Sequence, residues 1–173
     1  MSGAIQAQDP LRILRASWRD FRPALSLERA CFPHDAWPWI DVLAALTFPD
    51  TVRLMATWES VPAGFVIGDL RRREDLGWIA TIGVHPDFRR RGIGRALLRA
   101  CEEAMRTLRV RLTLRESNEG AHRLYLQEGY AQIDVWHRYY RDGESGIVME
   151  KLRARKGQEE AGPDGRLSAG GSG

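Results

Sequence analysis

A strand with one face in water alternates apolar and polar residues, but LGWIATIGV at residues 76–84 is apolar on both parities. Such a run reads as a central strand covered on both faces. The chain must then bring helices to both sides of one sheet. With 173 residues and 43% hydrophobic content there is material for one core of that kind, so a single self-folding domain is expected.

Periodicity supplies the other elements. LRILRAS (11–17) reads as a strand, and FRPALSLERACF (21–32) and WPWIDVLAAL (37–46) read as short helices broken by Pro33 and Pro38. VRLMATWES (52–60) and AGFVIGDLRR (63–72) form a hairpin turning at residues 60–62. The spacing predicts a helix over 93–108, with Ile93, Leu97, Ala100, Ala104 and Leu108 inward and the pairs Arg99–Glu103 and Glu102–Arg106 outward. RVRLTLRES (109–117) alternates, placing Val110, Leu112 and Leu114 on one side; a helix follows over 119–128, and AQIDVWHRYY (131–140) and GIVMEKL (146–152) close the domain as strands. The order β-α-α-β-β-β-α-β-α-β-β is that of an α/β (α+β) mixed sheet. Residues 1–9 are expected to be a flexible leader, 10–152 the domain and 153–173 a disordered tail rich in Gly and charge.

Composition excludes several classes. Cys31 and Cys101 belong to no Cys/His cluster, so neither a metal site nor a disulfide framework is expected. No apolar run reaches the roughly 18 residues of a membrane span, and residues 1–10 lack the pattern of a signal peptide. A cytoplasmic location without membrane association follows. A formal charge of +3 suits a small anionic ligand better than a coat of nucleic acid.

The basic residues concentrate where that ligand would bind. RRRGIGRALLRA (89–100) follows the central strand directly and opens the longest helix. There the first backbone N–H groups lack helical partners and the helix dipole favours negative charge. Gly92 and Gly94 let the backbone approach an anion, and Arg89, Arg90, Arg91 and Arg95 surround it with positive charge. No aromatic residues are interleaved to stack bases, so nucleic acid is not the expected partner.

With those residues in place, VHPDFRRRGIGRALL resembles the pyrophosphate-binding motif R/Q-x-x-G-x-G/A of the GCN5-related N-acetyltransferases, carried here by Arg89, Arg90, Arg91, Gly92, Ile93 and Gly94. RESNEGAHRLYLQEGY resembles the same superfamily's later motif N-x-x-A-x-x-L-Y-x-x-x-G-F/Y, through Asn118, Ala121, Leu124, Tyr125, Gly129 and Tyr130. CFPHDAWPW and HRYYRDGESGIVM are similar to segments of the RimI-type ribosomal-protein alanine N-acetyltransferases. The resemblance implies acetyl-CoA as donor, no metal, and a protein N-terminus or small amine as acceptor, with the protein a monomer or weak homodimer.

It also implies roles for particular residues. Ile82, Val84, the loop 89–95 and Asn118 would hold the cofactor, with the Val84 N–H at the developing oxyanion and Tyr125 as proton donor to the departing thiolate. Phe32, Pro33, Tyr139 and Tyr140 would flank the acceptor. Structural roles remain open beside these: core packing for Phe32, Tyr139 and Tyr125, and a helix cap for Asn118.

One departure concerns the base. RimI-type enzymes carry a glutamate where this chain has Thr113, which cannot serve, and the remaining candidates are Glu28, His34 and His137. At pH 7 an α-amine of pKa about 7.8 is roughly 14% neutral, and a lysine amine of pKa about 10.4 only about 0.04%. A site without a strong base therefore favours protein N-termini. Two other readings stay open: a small-molecule amine or polyamine acetyltransferase using acidic residues such as Asp69, Asp134 and Asp142, and a catalytically weak acyl-CoA-binding module, motivated by Thr113.

Overall fold

A computed structural model describes residues 10–154. The expected leader, and all of the expected tail beyond residue 154, lie outside the described residues. The order is β1 (Leu11–Arg15), α1 (Phe21–Cys31), α2 (Trp39–Thr47), β2 (Thr51–Trp58), β3 (Val61–Arg71), β4 (Leu76–Val84), α3 (Ile93–Met105), β5 (Arg109–Arg115), α4 (Glu119–Gln127), β6 (Ala131–Trp136) and β7 (Gly146–Leu152). This is the succession that the periodicities predict. Among the described residues the strands form one seven-stranded sheet in the order β1-β2-β3-β4-β5-β7-β6, in which only the β4–β5 pair is parallel.

The doubly apolar strand β4 lies in the middle with cores on both sides. On one side Ile93, Leu97, Leu98, Cys101 and Met105 of α3 pack over Val66, Ile79, Val110 and Leu112. On the other, Ala24 and Leu27 of α1 and Val42, Ala45 and Leu46 of α2 pack over Met55, Phe65 and Ile67. Among the described residues no helix is long and apolar enough to cross a membrane.

Local differences from the sequence reading have identifiable causes. Helix α3 ends at Met105 rather than near residue 108, because Arg106 turns left-handed (φ 54°) as the chain folds back. Leu108 then donates its N–H to Asp75 Oδ1 at 3.0 Å, and Arg109 donates to Asp75 O at 3.2 Å. These bonds dock β5 beside β4. The buried stripe of α3 therefore runs through Leu98, Cys101 and Met105, and Ala104 is exposed. Glu102, expected on the outer face with Arg106, is buried and accepts from the Tyr130 hydroxyl (2.8 Å) and Lys151 Nζ (2.7 Å). Arg99 turns to Glu128 on the segment after α4, at 2.7 Å.

The β2–β3 turn is Glu59–Ser60, both at positive φ (48° and 72°), so Pro62 falls within β3. Strand β6 stops at Trp136, which moves Tyr139 and Tyr140 into the loop before β7. Arg153, just past β7, continues the ladder by donating its N–H to Leu108 O at 2.8 Å.

Candidate functional site

The site begins with a break in the sheet. β4 and β5 are partners only from Leu76 and Arg109 to Ile79 and Leu112, although both strands continue. Against β3, the register steps from Ile79 opposite Gly68 to Thr81 opposite Ile67, leaving Ala80 as an extra residue on β4. A bulge of this kind bends its strand, and here β4 parts from β5.

The ladder alternation shows what the opening exposes. His85 donates its N–H to Ala63 O at 2.9 Å, so Thr81 and Gly83 face β3 with their peptide groups while Ile82 and Val84 turn theirs into the opening. From the other side, Glu116 donates to Ser145 O, which turns the peptide groups of Thr113 and Arg115 inward as well. Arg89 Nε occupies Val84 O at 3.3 Å.

Helix α3 starts beside the end of β4. Gly92 is its N-cap at φ 78°, and a Cβ built on it would meet nothing within 4 Å. The cap residue has the left-handed backbone that glycine favours, and the space in front of it is open. The first helical hydrogen bond joins Ala96 N–H to Gly92 O, which leaves the N–H groups of Ile93, Gly94 and Arg95 without helical acceptors. A Cβ on Gly94 would lie 3.6 Å from Val84 Cγ2 and 3.8 Å from Leu124 Cδ2, so this N-terminus sits between β4 and α4.

The arginines divide their tasks. Arg90 is exposed at φ 65°. Arg91 stacks over the Trp58 and Phe88 rings, with Cζ 5.0 and 5.5 Å from their centroids. Arg95 binds Glu128 Oε1 at 2.8 Å and Gln127 at 2.6 Å, so its side chain is tied to α4 and its N–H is what it offers to an anion. Asn118 caps α4 by accepting from Ala121 N–H at 3.1 Å. These features suit the diphosphate and amide-bearing arm of a coenzyme A thioester: free N–H groups at a helix end, positive charge around them, and an unpaired strand edge leading away.

On the α1–α2 side the opening is the floor of a cavity of about 390 Å³. Ile79, Ala80 and Thr113 form the floor, residues 34–38 and Asp41 one wall, and Trp78, Tyr139 and Tyr140 the other. Phe32 and Pro33 are not among the lining residues. The Phe32 ring lies instead over Gly83, where a Cβ would come within 2.9 Å of Cys31 Sγ and 3.1 Å of Phe32 Cε2. His34 lines the cavity and His137 does not. Of the acidic residues considered for a polyamine, Asp142 is bound to Arg115 and Asp134 to Trp136 Nε1; the cavity's own carboxylates are Asp35 and Asp41.

Arg115 latches the two walls together, and sequence reasoning missed it. From the end of β5 its guanidinium holds Asp35 bidentately at 2.6 and 2.8 Å, and reaches Asp142 at 2.8 Å and Glu144 at 2.5 Å. It also covers the Tyr140 ring, with Cζ 4.1 Å from the centroid. The available signal was the alternation of β5, which puts Arg115 on the same face as Thr113. An aromatic row continues the wall: Trp78 stacks on Trp136 (5.8 Å, 8°), Trp136 meets Tyr139 (5.2 Å), and Tyr139 meets Tyr140 edge-on (5.1 Å, 88°).

Burial shifts two groups on the neighbouring helices α4 and α1. Tyr125 enters from α4, its ring 5.7 Å from that of Tyr130; burial, with the Tyr140 phenol adding to it, pushes its hydroxyl well above the usual phenol range, so it stays protonated. Glu28 on α1 is 1% exposed. Its Oε1 accepts from Trp37 N–H at 3.1 Å, and burial raises its pKa to about 7 against the opposing pull of Trp37 and Thr81.

A splayed β4–β5 pair between a glycine-capped helix and a half-open cavity lined with aromatic and polar side chains defines a coenzyme A-dependent acyltransferase. The chain belongs to the acetyltransferase (GNAT) family, whose sequence profile matches residues 12–130. It is 39% identical to an N-alpha-acetyltransferase of Sulfurisphaera tokodaii, over 80% of this chain and 90% of that one. It is 41% identical to the N-alpha-acetyltransferase RimI of Mycobacterium tuberculosis, over 83% and 93%. Its fold is shared with the ribosomal-protein-S18-alanine N-acetyltransferase of Escherichia coli, at a TM-score of 0.77 and 24% identity, covering 86% of this chain and 97% of that one.

Proposed function

We propose that this protein transfers the acetyl group of acetyl-CoA to the N-terminal α-amine of a protein, such as a ribosomal protein, in the cytoplasm, acting as a monomer or weak homodimer. One observation carries the reading. The floor of the acceptor cavity, Ile79, Ala80 and Thr113, is the same opening that exposes the β4 edge and leads to the N-terminus of α3. A thioester extended from the helix end along β4 would thus present its carbonyl to an amine in the cavity.

The chemistry follows from the groups at the opening. Nitrogen attacks the thioester carbon, and the oxygen that gains charge is met by the inward N–H of Val84, which a bound carbonyl need not displace from any other partner. As the C–S bond breaks, the sulfur takes the proton of Tyr125, which is kept on the phenol by burial. Ile82 supplies edge hydrogen bonds to the amide-bearing arm, and Arg89, Arg90, Arg91 and the N–H groups of Gly92, Ile93, Gly94 and Arg95 neutralise the diphosphate. Tyr139 and Tyr140, with Trp37 and Trp78, contact the acceptor's first residues. Phe32 and Pro33 act from beneath by holding α1 on β4.

A free N-terminus fits this cavity better than a polyamine does. Asp35 is bound by Arg115, which it shares with Asp142 and Glu144, and Trp37, Trp78, Tyr139 and Tyr140 offer aromatic wall surface to the residues behind an α-amine, which a polyamine lacks. The test is a peptide with a free N-terminus against the same peptide blocked there and carrying an internal lysine, with a panel of polyamines alongside. Acetylation of the free N-terminus alone is expected. Faster acetylation of lysine or a polyamine overturns the reading, and acetyl-CoA binding without turnover on any amine favours an acyl-CoA-binding module.

A further inference from the structure

Among the described residues, two buried side-chain oxygens lack a hydrogen-bonding partner, Glu28 Oε2 and Thr113 Oγ1, although the Thr81 side chain also bears on the Glu28 carboxylate. Native folds seldom leave such atoms unsatisfied, and where they do an ordered water or a chemical role is the usual reason. Thr113 is part of the cavity floor. Glu28 lies immediately behind the cavity: its other oxygen holds the N–H of Trp37, which lines the wall, and its carboxylate neighbours Thr81, the residue after the lining bulge at Ala80. Both side chains lie on the α1–α2 face of the sheet, since Val110, Leu112 and Leu114 of β5 belong to the opposite core.

We propose that Glu28 takes the acceptor's proton through a water held between its Oε2 and the Thr113 hydroxyl. This inference rests on the acetyl transfer proposed above. As the N–C bond forms, the nitrogen releases a proton to the water, and the water passes a proton to the Glu28 carboxylate. The C–S bond breaks, the thiolate receives the Tyr125 proton, and Glu28 and Tyr125 return to their starting states by exchange with solvent. Thr113 positions the water. The glutamate absent from position 113 is thus replaced by one on α1, acting from behind the wall at Trp37.

The surroundings leave Glu28 suited to the role. Cys31, one turn along α1, is pushed up to about 11 and stays neutral, with Arg89 beyond it. Phe65 and Ile67 of β3, Thr81 and Gly83 of β4, and Val42 and Ala45 of α2 do not ionise. Asp20, before α1, is bonded to Ser17, and Asp35 is held by Arg115. His34 and Asp41 line the cavity itself. A carboxyl raised to about 7 gains and loses its proton near neutral pH.

The experiment measures kcat against pH on the full chain with saturating acetyl-CoA and an N-terminal peptide. Glu28→Gln, which keeps an oxygen for Trp37 N–H, is expected to lower kcat about 10²-fold or more. Its acid limb, set in the unmodified protein by both Glu28 and the amine, should become shallower and follow the amine's own value of about 7.8 alone. KM and acetyl-CoA binding should change little, and Glu28→Asp should restore part of the rate. Thr113→Val, of similar volume, should lower kcat in the same sense. Full kcat in either Glu28→Gln or Thr113→Val, with the acid limb unmoved, overturns the relay and leaves the acetyl transfer standing. No transfer by the unmodified protein overturns both.

Discussion

The Tyr125 ring packs beside Tyr130, with 5.7 Å between centroids, and the proposed transfer adds one demand on its hydroxyl, so a single oxygen separates packing from chemistry there. Tyr125→Phe is expected to keep acetyl-CoA binding, read as a thermal shift, while lowering transfer by about 10²–10⁴-fold. Full turnover at saturating substrates would reduce Tyr125 to a packing residue. Glu28 makes a second residue-scale prediction through stability. Its pKa rises from 4.5 in the unfolded chain to about 7 in the fold, so between these values the folded state holds the extra proton. Stability from this group is complete below pH 4.5 and is lost as pH rises through 7. Glu28→Gln should remove that slope and, at pH 8, unfold in urea with an excess stability on the order of 3 kcal/mol over the unmodified chain.

Among elements, the α3 N-terminus and the Arg115 latch do separable work. Gly92→Val places a branched side chain on a left-handed residue, costing about 1–2 kcal/mol, and fills the open space before the free N–H groups. It should abolish the thermal shift given by acetyl-CoA, a shift that arises by mass action. Binding left intact would remove the cradle from the mechanism. Arg115→Ala should instead raise KM for the peptide about tenfold or more by freeing the cavity walls, with the acetyl-CoA shift retained. Arg115→Lys should not restore it, because an ammonium cannot reproduce the bidentate fork. The Glu144 N–H and Arg115 hold Asp142 below the usual carboxylate range, and Ser117 and Arg115 hold Glu144 there. The latch's contribution is therefore present at neutral pH and is lost only as pH falls through those lowered values.

Across the whole molecule, one buried carboxylate ties three elements. Glu102 on α3 receives Tyr130, just before β6, and Lys151 of β7, and Arg153 bonds the Glu102 carbonyl at 2.6 Å. Glu102→Ala leaves a buried hydroxyl and an ammonium without their acceptor, and should cost about 3 kcal/mol or more in urea unfolding. The loss should be global, since it loosens the face of the sheet that carries both α3 and α4. The i,i+4 pairing read from sequence would instead make Glu102 a surface residue, for which the same change would cost little.

The sequence by itself determined the order of elements, the central place of 76–84 and the glycine-capped start of α3 at Gly92. Each is a local matter, decided by side-chain period, by capping and by backbone freedom within one turn or strand. Where elements stop was less legible, because the turns after Met105 and Trp136 answer to neighbours such as Asp75. The acceptor cavity belongs to tertiary structure alone. Its walls come from residues 34–41, 78–80, 113 and 139–141, and its floor exists because one extra residue at Ala80 bends β4 from β5. A bulge is a relation between two strands. The burial of Glu28, on which the proposed relay depends, is likewise a relation, and neither is written in any single segment.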